Sequence, residues 1–513
     1  MNEQAAAWRR PDQASKLKLG ALIAGTAVLS GVLAGLYGAL FAFGVVGAIA
    51  FIIGLVRDYR VGLVASMAFT PFIGLSEQGA NVFLLLVFST LIVFVLGKML
   101  THKPFVGLPA PVWIGMILVV AWGAFLEVQH LDEARHALSD TQLVAIYSIK
   151  GFLIFSVFIP SSIVLIAWML ANAVRESSKP EFFIGVFAVI SSAVALHVLQ
   201  FVATSSFGLA QLADSRNREV FGQLGHHANE FGPMLAVAAA PFLFLTADSK
   251  GWKRVFYATV LLMLAAACAL VFSRGGYLAF IVIFGAFLIW RRSLKLYFAV
   301  GALCIAAVLA APEAIIDRAT TGLDSRSLAM TADRSEDDPL TAGRFSIYEM
   351  FWPDIEASPI LGSGTGSAAW SAPVRSGRTL LLHPHNTYLR VVMDVGLLGL
   401  VLLAYFWRAM SKQMRALSRD ATLAPAMRSF FSGATAGVFG YLTACISGGP
   451  HWLPDPGQPF MWFAIGMALA FWPVTVKVPK HAAMMPERMQ AQQRPANEPS
   501  TDRSVIRTSG FDR

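Results

Sequence analysis

The chain has 513 residues, of which 56% are hydrophobic and 14% are charged. Soluble domains carry about 25% charged residues, so the composition excludes an ordinary soluble enzyme. The 40 Lys and Arg residues exceed the 31 Asp and Glu residues, which gives a formal charge of +9. In a soluble protein this excess would suggest nucleic acid as a partner. In so hydrophobic a chain it favours a membrane protein with no nucleic-acid partner.

Apolar runs recur along the chain, and each has about the length needed to cross 30 Å of hydrocarbon as a helix. Helices are expected because lipid offers no partner to an unpaired backbone polar group. The runs cover residues 18–36, 38–56, 61–76, 80–97, 109–127, 143–171, 182–205, 230–247, 254–272, 275–290, 294–311, 388–407, 428–447 and 459–475. Only Tyr37 and Gly38 separate the first two runs, and Pro71 interrupts the third. The sequence therefore predicts an all-α polytopic membrane protein with about 14 transmembrane helices, within a range of 12 to 14.

Basic residues fall in every second connection between these runs, which predicts their orientation, because positively charged loops stay in the cytoplasm. These connections carry Arg57 and Arg60; Lys98 and Lys103; Arg175 and Lys179; Lys250, Lys253 and Arg254; Arg291, Arg292 and Lys295; and Arg408, Lys412, Arg415, Arg419 and Arg428. Both termini are thus predicted to be cytoplasmic. The predicted segments are a cytoplasmic tail at 1–17, eleven helices with short loops at 18–311, a long periplasmic loop containing short helices at 312–387, three helices at 388–475 and a disordered cytoplasmic tail at 476–513.

The segments predicted to face outward contain arginine but no lysine. They carry Arg135, Arg216, Arg218, Arg274, Arg318, Arg326, Arg334, Arg344, Arg375 and Arg378. The planar guanidinium group binds phosphate and carboxylate through two parallel hydrogen bonds. A phosphate-binding role and a general preference for Arg in this chain explain the set about equally well.

Residues 273–276 read Ser-Arg-Gly-Gly and lie between two predicted helices, so they form a tight outward connection. The two glycines allow close approach of backbone or ligand. A charge so near hydrocarbon is costly unless it is paired, which favours a functional role for Arg274. The alternative is an interfacial arginine that reaches lipid phosphate.

Residues 214–230 form a second polar outward segment, which includes Arg216, Arg218 and two adjacent histidines. His226 and His227 with Glu230 are conceivable metal ligands. Adjacent histidines point apart, however, and no third ligand has convincing spacing. The sequence therefore disfavours a metal site here.

The long loop ends in residues 383–386, which read His-Pro-His-Asn. Histidine is the side chain best suited to accept a proton near neutral pH. Asn386 is placed to orient either a histidine or a substrate. For a lone histidine the simpler interpretation would be a cap at the start of the next helix.

These segments together resemble one family. The resemblance rests on residues 273–276, the Arg344 segment, the Gly-Ser-Gly turn at 362–364, the run at 383–386 and the Asp-Val-Gly-Leu-Leu-Gly sequence at 394–399. In this order and outward placement they resemble the O-antigen ligase and polymerase superfamily. Its members are bacterial membrane glycosyltransferases that act on polyprenyl-diphosphate-linked glycans at the outer face of the inner membrane. The resemblance extends over roughly residues 200–475.

The resemblance implies that Arg274 and an arginine preceding residue 222 hold the diphosphate of the donor. Where relatives usually have a His-Pro-Asn or Asn-Pro-Asn run, this chain has His-His-Ala-Asn at 226–229. Arg216 and Arg218 therefore both remain candidates, and Arg218 is favoured because it is nearer to Gly222.

The resemblance also implies that His385 acts as the general base on the acceptor hydroxyl. Asn386 and His383 would then lie beside the base, with His383 as a supporting partner. Arg344 would bind the diphosphate or orient the acceptor, unless it forms a structural salt bridge to a nearby acid.

The architecture implied by the resemblance is that of glycosyltransferase C, with a metal-independent, inverting reaction and no cofactor. The donor would be an undecaprenyl-diphosphate-linked oligosaccharide, and the acceptor a glycan or the lipid A core, with membrane lipids, chain-length regulators and export proteins as further partners. The protein is expected in the bacterial inner membrane with a periplasmic active site.

Three functions compete at this stage. The favoured one is an exopolysaccharide or O-antigen polymerase, and the nearest alternative is an O-antigen ligase that transfers the finished glycan to lipid A core or to a protein. A polysaccharide or lipid transporter is the alternative of another class. It would need ionisable residues within the membrane, for which Lys150 and Asp394 are the nearest candidates.

Overall fold

A computed structural model describes residues 39–73, 77–139, 141–213, 217–293, 316, 344–448 and 451–472. Every regular element in these ranges is a helix. The predicted spans 18–36 and 294–311 lie outside the described residues, as do the predicted tails at 1–17 and 476–513. The acidic middle of the long loop lies outside them as well.

The described residues form sixteen α-helical segments, two of which, α4 and α6, contain a short π-helical stretch. They are α1 (Ala39–Arg57), α2 (Tyr59–Phe69), α3 (Glu77–Leu100), α4 (Ala110–Gln129), α5 (Leu131–Ala137), α6 (Ile149–Arg175), α7 (Phe182–Thr204), α8 (Leu209–Ala213), α9 (Ala228–Asp248), α10 (Gly251–Leu270), α11 (Arg274–Arg291), α12 (Arg344–Ala357), α13 (Ala372–Arg375), α14 (Thr387–Leu417), α15 (Pro425–Ala444) and α16 (Pro459–Leu469). Short 3₁₀ helices occur at Asn217–Leu224, Ser367–Trp370 and Cys445–Ser447.

Nine of these helices in the described part of the chain are long and apolar enough to cross a membrane. They are α3, α4, α6, α7, α9, α10, α11, α14 and α15. The apolar helix α16 is shorter, with 11 residues. The predicted all-α, polytopic membrane protein is therefore confirmed, while the count of 12 to 14 spans stays a prediction.

Helix α9 is the core of the bundle, and it packs against α10, α11 and α15. Small residues make this close packing possible, as is usual between membrane helices. A Cβ atom on Gly276 of α11 would lie only 2.6 Å from the Cα atom of Gly232 in α9. Likewise, a Cβ atom on Gly433 of α15 would lie inside van der Waals contact of the α9 backbone at Pro241.

Helix α14 is broken at Gly396, where the predicted span 388–407 was a single helix. Gly396 has φ 71° and ψ −178°, outside the helical region. The segment 359–364 of the preceding loop packs into the break. Leu397 N–H donates to the Pro359 carbonyl at 2.8 Å, and Gly364 N–H donates to the Asp394 carbonyl at 2.8 Å. The loop thus satisfies the backbone groups that the break exposes, as a membrane interior requires.

Helix α14 also continues to Leu417, ten residues past the predicted end of the span. Residues 408–417 of the predicted connection are thus helical, with their charged residues on one side of an amphipathic helix. Phe406, Met410, Met414 and Leu417 recur every three or four residues and are buried. The exposed positions carry the basic residues that the sequence assigned to a loop.

The ends of the helices form two distinct faces. We call one the histidine face, because it carries His226, His227, His383, His385 and His451. We call the other the arginine face, because it carries Arg60, Arg175, Arg291, Arg415 and Arg428. Helices α9, α11 and α14 begin at the histidine face and end towards the arginine face.

Candidate functional site

The predicted His-Pro-His-Asn segment lies at the start of α14, beside a small polar cavity. Asn386 caps the helix, since its Oδ1 atom accepts hydrogen bonds from Tyr388 N–H at 2.9 Å and Leu389 N–H at 3.2 Å. The cap is therefore Asn386 and not a histidine. The cavity has a volume of about 60 Å³ and is lined by Glu230, His383, Pro384, Asn386, Thr387, Arg390, Gly448 and His451.

His383 and His385 contact each other directly. Their ring centroids are 4.0 Å apart with the rings nearly perpendicular. The Nδ1 atom of His383 accepts a hydrogen bond from the His385 backbone N–H at 3.2 Å. Burial, with the nearby His385 and Arg390, lowers the pKa of His383 to about 3. A neutral His383 with its Nδ1 engaged is suited to hold His385 in place rather than to take up a proton.

The backbone at His385 is left-handed, with φ 53°. Such a conformation is uncommon for a residue with a side chain, although histidine is among those that tolerate it, and it costs about 1–3 kcal/mol. Close packing against the neighbouring Gly448 stabilises this backbone conformation of His385. A Cβ atom on Gly448, which itself has φ 73°, would collide with the His385 carbonyl group. Only glycine lets the segment after α15 approach His385 so closely.

The second predicted piece, residues 273–276, begins helix α11 at the same place. Ser273 caps the helix by accepting a hydrogen bond from Gly276 N–H at 3.3 Å. A Cβ atom on Gly275 would collide with the Ser447 hydroxyl. Ser447 and Gly448 thus separate the Arg274 helix start from His385. The structure brings two pieces together that are far apart in the sequence, and Arg274 itself is half-buried there.

Residues 258–404 match the family model described as O-antigen ligase. This match includes Arg274, Arg344, His383, His385 and Asn386, and it confirms the predicted resemblance. We call residues 258–404 the O-antigen ligase domain, after the family that they match. No curated protein sequence matches the chain. The match supports a glycan-handling membrane enzyme that is similar to glycosyltransferases in general.

The O-antigen ligase domain also contains Arg390, a site residue that the sequence interpretation missed. Arg390 lines the cavity one turn into α14, and its Nε atom lies 3.6 Å from Asp394 Oδ2. Asp394 is buried and also accepts hydrogen bonds from Ser367 and from the Trp452 indole N–H at 2.8 Å. The sequence interpretation treated Arg390 only as part of an apolar run. An ionisable residue inside such a run is itself a sign of function, and this signal would have identified Arg390.

Residues outside the O-antigen ligase domain line the cavity, as Glu230 and His451 do, or lie next to its lining residues. His226 Nδ1 lies 3.1 Å from Glu230 Oε2 at the start of α9. Asp455, in the segment before α16, is close to both, and burial raises its pKa to about 7. Burial together with Arg390 and His383 holds the pKa of His451 well below its ordinary value. These groups come from two separate segments, so no single sequence motif reveals them.

The remaining predicted site residues are only partly placed by the structure. Arg216 lies outside the described residues. Arg218 belongs to the 3₁₀ helix Asn217–Leu224, and Arg344 is the first residue of α12. The backbone alone is described at these two positions. Among the described residues, no group of three or more His, Cys, Asp or Glu side chains is arranged to hold a metal ion.

Chemically, the start of α14 in the O-antigen ligase domain offers a proton acceptor beside fixed positive charge. His385 supplies the imidazole, and Arg390 a guanidinium group held by the buried Asp394. The N-terminus of α11 adds the partial positive charge of a helix dipole near Arg274. Such a combination suits a reaction in which a hydroxyl loses its proton and a phosphate leaves.

Proposed function

We propose that this protein transfers or polymerises glycan repeat units from a polyprenyl diphosphate carrier at the outer face of the bacterial inner membrane. One observation supports the proposal above all others. The His385 segment and the Arg274 helix start meet across Ser447 and Gly448, and both belong to the O-antigen ligase domain. The histidine face would then be periplasmic, with both termini of the chain in the cytoplasm.

In the proposed reaction, His385 takes the proton of the acceptor hydroxyl as that oxygen attacks the anomeric carbon of the donor. The bond from the anomeric carbon to the diphosphate breaks, and its electron pair leaves with the diphosphate. Attack from the opposite face inverts the configuration. Fixed positive groups stabilise the departing charge most when they are placed before the reaction begins.

Arg274 and an arginine of the 214–224 segment, Arg218 or Arg216, would hold the diphosphate. The structure suggests Arg390 as a further ligand of the same kind, because it lines the cavity beside His383. Arg344 would bind the diphosphate or orient the acceptor. No cofactor is needed for this scheme.

His383 and Asn386 are proposed as positioning residues for His385. His383 accepts the His385 backbone N–H, and Asn386 fixes the first turn of α14 with its side-chain oxygen. The amide nitrogen of Asn386 is left for a contact with substrate in the cavity that it lines.

Purified full-length protein incubated with a lipid-diphosphate oligosaccharide tests the proposal. We expect longer glycans when the donor also serves as acceptor, and we expect the activity to persist with a chelator. Failure to transfer to either another lipid-linked glycan or lipid A core would contradict the proposed enzyme. If the protein, placed in vesicles, instead moved the intact donor across the membrane, the transporter alternative would be supported.

The choice of acceptor separates a polymerase from a ligase. The matched family model is described as O-antigen ligase but does not separate a ligase from a polymerase, and the sequence motifs favour an exopolysaccharide or O-antigen polymerase. Deleting the gene distinguishes them. Single repeat units remaining on the carrier indicate a polymerase, and full-length chains remaining on the carrier indicate a ligase. Chain-length regulators and export proteins would be partners of the polymerase.

A further inference from the structure

The arginine face contains a basic cavity that the proposed reaction does not use. Its volume is about 760 Å³. Five arginines from the ends of three helices line it, against a single carboxylate, Asp248. These arginines are Arg291, Arg292, Arg415, Arg419 and Arg428. Five positive charges in one cavity repel each other, so an anionic ligand would lower their electrostatic energy.

One of the five arginines is held rigidly. Arg291 donates to Asp248 Oδ2 at 2.7 Å, and the same oxygen accepts the Ser429 hydroxyl at 2.6 Å. The Arg291 guanidinium also lies 5.6 Å from the Phe244 ring centroid and 5.5 Å from that of Phe287. Asp248 thus neutralises one arginine and builds the wall of the cavity. By contrast, Arg415 is exposed on the last turn of α14, and Arg419 is exposed in the turn that follows the helix.

An apolar groove adjoins the basic cavity. Its volume is about 1240 Å³, and it shares Asp248, Pro425 and Ser429 with the cavity. Most of its lining is apolar, and two aromatic residues along it, Phe182 and Trp252, are 64% and 73% exposed. Exposed aromatic side chains at helix ends are typical of the membrane interface. The groove therefore faces lipid, while the cavity beside it collects positive charge.

We propose that the cavity and the groove together bind one anionic phospholipid, with its phosphate headgroup among the arginines and an acyl chain in the groove. Retention of positive charge in cytoplasmic loops explains why arginines are numerous at this face. It does not explain why they converge on a cavity that shares a wall with an apolar groove. Basic pockets between membrane helices are suited to phosphate headgroups.

The headgroup part is tested with full-length protein that has been stripped of lipid in a neutral detergent. Native mass spectrometry measures adducts of phosphatidylglycerol, with phosphatidylcholine as the neutral comparison. The double variant Arg415→Ala and Arg419→Ala removes two exposed arginines of the cavity. We expect it to bind phosphatidylglycerol about tenfold or more weakly. Arg408→Ala is the matched control, since Arg408 is an exposed arginine of the same helix outside the cavity.

The groove part is tested by filling it. Gly185 of α7 lines the groove, and a Cβ atom there meets no described atom within 4 Å. Gly185→Leu should therefore fold normally and displace the acyl chain, which lowers phosphatidylglycerol binding several-fold. Gly97→Leu is the control, because Gly97 of α3 has equal space but lies away from the groove.

Inorganic phosphate distinguishes a lipid headgroup from a free anion. For a lipid site, phosphate alone should shift the unfolding midpoint little, and Gly185→Leu should leave that small shift unchanged. The proposal is overturned if the double arginine variant binds phosphatidylglycerol like the wild type. It is equally overturned if phosphate competes fully with the lipid while Gly185→Leu has no effect, because the site would then bind a free anion.

Discussion

The histidine face and the arginine face both gather ionisable side chains at helix ends, but their charge states differ. At the arginine face, cations pair with carboxylates, as in Arg291 with Asp248 at 2.7 Å and Lys98 with Glu176. At the histidine face, burial lowers the pKa of His383 to about 3 and raises the pKa of Asp455 to about 7. Burial favours the neutral form of either kind of group.

This difference suits the arginine face to binding the membrane and the histidine face to catalysis. Arginines remain charged at any physiological pH, so they suit permanent contacts with phosphate groups of the membrane. The buried groups of the histidine face change charge only when a proton or a ligand arrives, and perturbed groups of this kind cluster at active sites. Substitutions at the two faces should therefore affect different measurements.

The largest effect is expected from His385→Ala. Loss of the proposed general base should reduce glycan transfer about 10²- to 10⁴-fold, measured as product formed from a lipid-diphosphate donor. His102→Ala is a matched control, since His102 is an exposed histidine away from the histidine face and has nearly the same backbone, with φ 51° against 53°. Full activity in His385→Ala would remove the general-base role.

A somewhat smaller loss is expected from Arg274→Ala. Removing one fixed donor to the leaving diphosphate should lower turnover about 10²- to 10³-fold. Arg274→Lys should recover only part of the activity, because an ammonium group lacks the planar fork. Arg254→Ala, an exposed arginine at the start of α10, should keep full transfer activity. If Arg274→Ala did so too, the diphosphate clamp would be excluded.

Local sequence features predicted much of the fold and part of the site. Apolar length predicts a membrane helix because each helix satisfies its own backbone hydrogen bonds. Arg274 and His385 stood out because each lies in a short polar motif at the edge of an apolar run. The prediction that they act in one site came from the family resemblance together with their common outward placement.

Features that depend on distant pairing were not predictable in this way. The break at Gly396 is stabilised by the Pro359 carbonyl and by Gly364 N–H, which belong to another segment. Asp455 is half-buried, and it lies close to His226 and Glu230 because the segment before α16 packs at the start of α9. Neither arrangement leaves a periodic pattern in the local sequence.

An effect of intermediate size is expected from a substitution at the break in helix α14. Asp394 accepts hydrogen bonds on both carboxylate oxygens, from Ser367 on one and from Trp452 on the other. In Asp394→Asn one of these donors faces an NH₂ group, so stability should fall by about 1–3 kcal/mol, seen as a lower unfolding midpoint in detergent. Adding Trp452→Phe removes the opposing donor and should restore part of the loss. Strict additivity of the two substitutions would show that this contact does not hold the break.

The smallest effect concerns pH and distinguishes a buried carboxyl from an exposed one. Because the pKa of Asp455 rises from 3.8 to about 7, the folded state binds more protons than the unfolded state in that window. Its contribution to stability is therefore present at low pH and is lost as pH rises through about 7. His383 has the opposite slope, but only below its ordinary pKa of 6.5.

Unfolding midpoints between pH 6.5 and 8 isolate the Asp455 contribution. The wild-type midpoint should fall relative to that of Asp455→Asn as pH rises, because asparagine does not ionise beside Glu230. Asp420→Asn is the control from the arginine face. Hydrogen bonds from Thr422 lower the pKa of that exposed carboxyl, so its contribution is lost only below its ordinary value of 3.8. Parallel curves for wild type and Asp455→Asn would mean that Asp455 is ionised throughout, and that the histidine face carries a fixed negative charge.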